Sequence, residues 1–375
     1  MLSKSVVTKI VGSIALLALV VIGLNPSNIA WASSGSASVG VVSANGVTVT
    51  PSGPDATAAR AWTQQEMLAA KPYPMDAGVT SVKPVASLSG PTGPAGVVAA
   101  GMPQNSNNAL SLGDSFVSLP GVDTLADAYS YPPPYTRQDL RQITTPYSSQ
   151  PFTKTGKLFF RQDYANWVCS AAVIGTSYAS HAIITAGHCI NDGNNGLSSD
   201  HAGWSYNMVF IPAYNNGIAP YGQWTIIYST ERAFTSWTYG GDLARDVAGA
   251  KLNKLGGYTI TQKLGWWGFA WDQDRVNSWW EMGYPAEAPF TGKYMISCES
   301  SYAYDSPFGT TPVPMGVGCD ETGGTSGGPW VMRMGTGSYI NSVNSHRRTG
   351  YDYELYGPYF DDSVHTDMFT LLVAP

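Results

Sequence analysis

The chain has 375 residues, with 20 Lys+Arg against 26 Asp+Glu, a formal net charge of −6 and only 12% charged residues. That is about half the ~25% of an ordinary soluble domain, and a mildly acidic balance lacks the basic footprint that phosphate backbones demand, which argues against a nucleic-acid binder. Beyond the N-terminus no run approaches the ~18 unbroken apolar residues of a membrane span, so no integral membrane protein is expected.

Residues 1–32 read as an export signal. Lys4 and Lys9 supply the positive start, and 11–24 form an apolar run interrupted only by Gly and Ser. Asn25-Pro26 follows, then Ala30-Trp31-Ala32 before Ser33, which fits the small-x-small cleavage rule. The rival reading, an uncleaved anchor, is disfavoured by the short run and the cleavage site behind it. A secreted, extracellular protein without stable membrane association is the expectation. Export also suits the cysteines. Cys169, Cys189, Cys298 and Cys319 are even in number and none forms a CxxC pair, so two disulfides are preferred to a zinc ribbon. The sequence alone permits three pairings.

Composition then divides the rest. From Ser33 to about Tyr135 there is no Cys or His, Trp62 is the only tryptophan, and Pro, Gly, Ala and Ser dominate. Such a stretch buries too little apolar area to offset its chain entropy, so residues 33–141 are read as a largely disordered pro-region or linker. Tyr131-Pro132-Pro133-Pro134-Tyr135 closes it like a stiff spacer. All four Cys, all five His and ten of the twelve Trp lie beyond Lys157. There, strand-like runs recur between turn signals, at 157–160, 168–174, 182–186, 208–212, 224–228, 246–252, 294–298, 330–334 and 339–343. A closing turn near 367–373 is the one helical hint. This pattern predicts an all-β barrel or sandwich over 142–375.

Three short segments carry the chemistry. Ile184-Thr185-Ala186-Gly187-His188-Cys189 follows an apolar strand; Arg245-Asp246-Val247-Ala248 opens a buried-looking one; and Cys319 to Pro329 is a Gly-rich turn bearing Ser326. Nucleophilic acyl transfer needs a hydroxyl, a base, an acid to orient the base, and backbone N–H groups aimed at the oxyanion. Glycines around Ser326 suit the last requirement, because side chains there would stop a carbonyl approaching the amides. Asp242 is a local rival to Asp246, but the apolar register after Asp246 favours the latter. His181, His201, His346 and His365 read as surface or packing residues. The Trp266-Trp267 and Trp279-Trp280 pairs read as core rather than as a carbohydrate platform. Gly324-Thr325-Ser326-Gly327-Gly328 also satisfies the nucleophile-elbow pattern of α/β-hydrolases, but that fold needs its acid and histidine downstream of the serine, and only 49 residues follow.

Together the segments resemble the chymotrypsin-like (trypsin-like) serine peptidases. The matches are Thr-Ala-Gly-His-Cys at 185–189, Asp-Val-Ala-x-x-x-Leu at 246–252 and Thr-Ser-Gly-Gly-Pro at 325–329, in that family's order of His, Asp, Ser. The version of the last motif looks closest to secreted microbial members, including glutamyl-endopeptidase-like enzymes. The resemblance implies a double β-barrel and a secreted serine endopeptidase acting on proteins or peptides, with no cofactor or metal. By position, Ser326 would be the nucleophile, His188 the general base and then acid, Asp246 the orienting carboxylate, and the Gly324 and Ser326 amides the oxyanion hole. The pairs Cys169–Cys189 and Cys298–Cys319 are implied with it. A protease-like fold that has lost catalysis and serves as a binding or adhesion module is the alternative, but no triad residue is replaced. For specificity, Asp320 stands where trypsin keeps its pocket carboxylate, whereas Asn344 stands where a glutamyl endopeptidase keeps its substrate-binding histidine, with His346 two residues on. Thr325 occupies the place of the aspartate that pairs with a new α-ammonium in trypsin-like zymogens. With that switch absent, the low-complexity segment reads as a pro-region removed near Arg137 or Arg141, in an exposed-looking stretch close behind the prolines, and a permanent flexible stalk that tethers the domain is the rival reading.

Overall fold

The computed structural model describes residues 41–42, 46–49, 60–77, 91–104, 131–142, 148–193, 201–335 and 337–375. The export signal read at 1–32 lies outside these. Two curled, almost wholly antiparallel sheets account for the chain from Thr155 onward. The first runs in hydrogen-bonded order through Val47–Val49, Arg232–Phe234, Ala248–Lys251, Ala182–Thr185, Ala165–Ile174, Thr155–Gln162, Tyr206–Pro212 and Trp224–Thr225. A bridge between Ile226 and Leu252 brings its far end back to the Ala248–Lys251 strand and closes the curl. The second sheet runs Glu354–Gly357, Met315–Gly318, Ile296–Asp305, Ser278–Gly283, Pro329–Met332, Tyr339–Val343 and Gly268–Trp271. A bridge from His346 to Tyr356 ties Tyr339–Val343 back towards Glu354–Gly357. This is the double β-barrel expected from the motifs.

The strands follow from apolar runs that bury both faces of a curled sheet. Leu158, Phe159 and Phe160 are all fully buried, as are Val168, Ala171, Ala172, Val173 and Ile174 on the neighbouring strand. Their eight-rung antiparallel pairing, from Thr155 opposite Ala172 to Gln162 opposite Ala165, is the spine of the first barrel. Trp266, Trp267, Trp279 and Trp280 are buried, at 9% exposure or less, in the core role read for them. The 246–252 run starts as a strand only at Ala248, because Asp246 caps the short turn Leu243–Arg245. Ser278–Gly283, Met315–Gly318 and Glu354–Gly357 are strands that alternation did not reveal. They are short, rich in Gly or polar residues, and held by neighbours on both sides, so tertiary pairing outweighs local propensity. The closing segment becomes Val364–Phe369 and the helix Thr370–Val373, whose Leu372 and Val373 are buried.

The described parts of the 33–141 segment contribute to both sheets. Val47–Val49 pairs with Arg232–Phe234, Lys71–Pro72 with Ala165–Ile174, Gly96–Val98 with Gly268–Trp271, and Tyr135–Asp139 with Ile296–Asp305. Between the first two lies the helix Gln64–Ala69, started by a capping box in which Thr63 and Glu66 satisfy one another's backbone N–H groups. Trp62, just ahead of it, is 3% exposed and donates from Nε1 to Asn207 O at 3.0 Å. Among the described residues, no helix is long and apolar enough to cross a membrane.

Candidate active site

His188 reaches its place because the Ala182–Thr185 strand ends in a single tight turn, Gly187–Cys189. The disulfide Cys169–Cys189 staples that turn to the Ala165–Ile174 strand. Gly187 is required there: a Cβ would lie 2.8 Å from Asp246 Oδ1 and 2.9 Å from the Trp237 ring. Asp246 holds the histidine twice, Oδ1 accepting from His188 N–H at 2.8 Å and Oδ2 lying 2.9 Å from His188 Nδ1. Ser345 Oγ donates to Oδ2 at 2.6 Å. Burial alone would raise this fully enclosed carboxyl, but the charge of His188 and the hydrogen bonds from His188 and Ser345 outweigh it and hold Asp246 below the usual carboxylate range. Asp242 faces elsewhere, capping Ala244 N–H and accepting from Thr310.

Ser326 sits in the turn after Cys319, against the first barrel. Its carbonyl accepts from Ser170 N–H at 2.7 Å, and a Cβ on Gly327 would be 1.9 Å from Thr185 Oγ1. His188 Nε2 and Ser326 Oγ are both buried and without a hydrogen-bond partner among the described residues. No hydrogen bond joins the two atoms in this state.

The backbone before Ser326 is fixed from outside the turn. Gly323 O accepts from Ala286 N–H at 2.8 Å, and Gly324 O accepts from Ser170 Oγ at 3.0 Å. Thr325 O accepts from Gly328 N–H at 2.9 Å. Because a trans peptide points its N–H opposite its carbonyl, these bonds aim the Gly324 and Ser326 amides away from Ala286 and Gly328 respectively. Neither amide has an acceptor among the described residues. Gly324 has φ +96°, a conformation that side chains resist.

Below the turn, Thr325 Oγ1 donates to Glu321 Oε2, and Asn344 Nδ2 donates to Thr325 Oγ1 at 2.8 Å and to Glu321 Oε2 at 3.3 Å. Burial pushes the Glu321 carboxyl well above its ordinary range. The second disulfide, Cys298–Cys319, braces the base of the turn against the Ile296–Asp305 strand. Asp320 is not a free carboxylate, since Arg137 of the Tyr135–Asp139 strand pairs with it. His346 is buried between Ser306 Oγ and Ser345 Oγ, each 2.9 Å from a ring nitrogen, and burial pushes it down to about 3, so it stays neutral. His181 bonds Leu252 O, while His201 and His365 stack on Tyr206 and Trp271.

Sequence reasoning missed Ser345, Ser170, Glu321 and Tyr73. Tyr73 belongs to the low-complexity segment, yet its ring stacks on the His188 imidazole with centroids 5.2 Å apart. Only the position of Ser345, just past the Tyr339–Val343 strand, could have flagged it. Ser170 and Tyr73 act through contacts distant in sequence, and Glu321 through Thr325, four residues on, and through Asn344. Among the described residues, two clusters of Cys, His and Glu are tight enough for an ion, Cys169/His188/Cys189 and Cys298/Cys319/Glu321. Each contains a disulfide, whose sulfurs are not thiolate ligands, so neither fits a metal.

No family model matches the chain. Among solved structures it is similar to the protease Anisep from Arthrobacter nicotinovorans, at 33% identity and TM-score 0.53, covering 59% of this chain and 96% of that one. It is equally similar to the thermostable serine protease AL20 from an extremophilic microorganism, at 33% identity and TM-score 0.53, covering 60% and 98%. Among curated proteins, a 133-residue stretch is 29% identical to the extracellular metalloprotease of Bacillus subtilis (strain 168). That match spans 35% of this chain and 37% of the relative, little more than a third of its length.

Proposed function

The chain belongs to the chymotrypsin-like serine peptidase family, and from that premise we propose that it is a secreted serine endopeptidase hydrolysing peptide bonds through an acyl-enzyme on Ser326. In this reading Ser326 Oγ attacks the scissile carbonyl, and His188 Nε2 takes the proton and later returns it to the leaving amine. Asp246 fixes the tautomer with its Nδ1 contact and stabilises the imidazolium that forms. The Gly324 and Ser326 amides receive the developing oxyanion, and their orientation, held by the bonds to Gly323 O and Thr325 O, costs no reorganisation during reaction. The observation that carries the reading is Asp246 gripping His188 through both carboxylate oxygens, beside a serine whose turn packs on the histidine's own strand. The extracellular relative and the two disulfides support export, with 1–32 as the signal. Residues 33–141 are read as a pro-region of the precursor and 142–375 as the peptidase domain.

A serine-reactive fluorophosphonate and a casein digest test the assignment. Labelling at Ser326, lost in Ser326→Ala together with several orders of magnitude of turnover, is the expected result. A folded protein that neither labels nor cleaves after removal of its N-terminal segment would turn the reading to a silent binding module.

A further inference from the structure

Residues 71–77 come from the Pro-rich segment, yet they cross the face of the site. On one rim Lys71 and Pro72 pair in parallel with Trp167 and Val168, and Tyr73 N–H donates to Val168 O at 3.1 Å. On the other rim Arg347 N–H donates to Met75 O at 3.0 Å, and Ala77 N–H donates to Arg347 O at 2.9 Å. Between the rims the Tyr73 ring covers the His188 imidazole, tilted by 25°. A Cβ on Gly323 would lie 2.9 Å from Tyr73 O, so this crossing main chain passes next to the turn that bears Gly324 and Ser326. With the crossing in place Ser326 is 0% exposed and His188 6%.

We propose that residues 71–77 are a built-in strap that blocks the catalytic cleft and keeps the full-length chain latent until the strap is displaced. The inference rests on the peptidase reading of Ser326. Strand addition draws its affinity from main-chain hydrogen bonds, and the backbone groups of Val168 and Arg347 on the two rims, which could pair with an incoming peptide, are already bonded to this chain. Pro72 and Pro74 fix φ on either side of Tyr73, which cuts the entropy lost when the strap docks. Both ends are tied. Upstream, Trp62 exchanges two hydrogen bonds with the Gln223 side chain, at 2.7 and 2.8 Å. Downstream, Arg347 Nε donates to Asp76 Oδ1 at 2.6 Å, and Met75 is 5% exposed within the apolar cluster that contains Cys298, Cys319, Val317 and Leu355. None of the four cysteines lies in the strap, so only non-covalent contacts and chain continuity hold it. While continuous, it acts at the high effective concentration of a tethered ligand; once the chain is cut, that advantage is lost.

The test compares unprocessed full-length protein with Tyr73→Ala/Asp76→Ala and, as a shape-preserving variant, Asp76→Asn. Integrity is checked by N-terminal sequencing and folding by circular dichroism. Each is assayed for initial turnover of a fluorogenic peptide library and for labelling by a small fluorophosphonate. The double variant should turn over peptides at least about tenfold faster than the parent, with Asp76→Asn between them, since each ~1.4 kcal/mol removed from the closed state raises the open fraction tenfold. A synthetic peptide of residues 60–77 added to the double variant should restore inhibition. Equal, measurable turnover in parent and variants, unaffected by the peptide, would overturn the strap and leave the peptidase intact. Folded variants that neither label nor turn over would overturn the peptidase reading itself, and the strap with it.

Discussion

Ser345 Oγ donates a 2.6 Å hydrogen bond to Asp246 Oδ2, the same oxygen that faces His188 Nδ1. Asp246 is fully buried, and with His188 N–H on Oδ1 its carboxylate is held from three directions. An anion so enclosed stays charged because each donor favours the charged form, and it can then fix one imidazole tautomer. Asp246→Asn should keep the fold and cut kcat about 10⁴-fold, by presenting an N–H where an acceptor is needed. Ser345→Ala removes one charge-assisted bond of about 1.5–3 kcal/mol and should lower kcat roughly tenfold or more with little change in KM. Steady-state kinetics on one peptide substrate, with the strap displaced, check both. Unchanged kcat in Asp246→Asn would exclude the carboxylate from the mechanism.

Glu321 gives the stability of the turn that bears Ser326 a pH dependence of definite sign. Burial raises its carboxyl well above the ordinary range, and burial does the same to Glu281. The folded form therefore keeps protons that the unfolded chain releases above its own carboxylate value of about 4.3. The stability these groups contribute is fully present below that value and is lost as pH rises towards their folded values, by at most about 1.4 kcal/mol per pH unit for each. Glu321→Gln preserves an acceptor for Thr325 and Asn344 without an ionisable proton. Its melting temperature should fall less steeply between mildly acidic and alkaline pH than the parent's. Parallel melting curves across that range would show that Glu321 is charged in the fold.

Arg348 and Glu354 form a second buried polar unit, beside the bridge that ties His346 to Tyr356. Arg348 Nε donates to Glu354 Oε2 at 2.7 Å, Tyr356 OH donates to the same oxygen at 2.8 Å, and both charged residues are 1% exposed or less. Removing one partner strands the other charge in the interior, so Glu354→Ala should cost about 3–5 kcal/mol in urea unfolding. Replacing both with apolar residues of similar volume should recover most of that loss. A loss below about 1 kcal/mol in the single variant would mean that water reaches the site.

The sequence made this trio of residues legible for a physical reason. His188, Asp246 and Ser326 each need a local backbone device, a strand-end turn, a capping position or a Gly-flanked turn, and such devices are written in neighbouring residues. Gly187 and Gly327 mark positions where any Cβ would strike Asp246 or Thr185, so the motif around each is short and recognisable. Ser345, Glu321 and Tyr73 have no such local marker. Tyr73 meets Val168 and His188 only in the folded chain, and its surroundings, Lys71-Pro72-Tyr73-Pro74, have the composition of a linker. Pairing at both rims supplies the order that composition does not.

Thr325, directly before Ser326, carries no charge, and its hydroxyl is committed to Glu321 and Asn344. Burial raises the Glu321 carboxyl well above its ordinary range, and its Oε2 is already taken by Thr325 and Asn344, so a newly freed α-ammonium inserted here would find no carboxylate ready to pair with it. Burying that cation unpaired would be too costly, and activation should not depend on it. Under the strap proposal, displacing residues 71–77 is the activating step instead. Of the two basic positions that precede the peptidase strands, Arg137 lies mid-strand, opposite Cys298, and pairs with Asp320, whereas Arg141 follows the strand's end at Asp139. A protease cuts more readily where no ladder must first be unzipped. The mature N-terminus recovered from culture medium should therefore lie within 142–150. Acetylating the new amine should leave peptidase activity unchanged. Full activity from protein that begins near Ser33 would defeat the pro-region, and loss of activity on acetylation would mean that an ammonium partner exists after all.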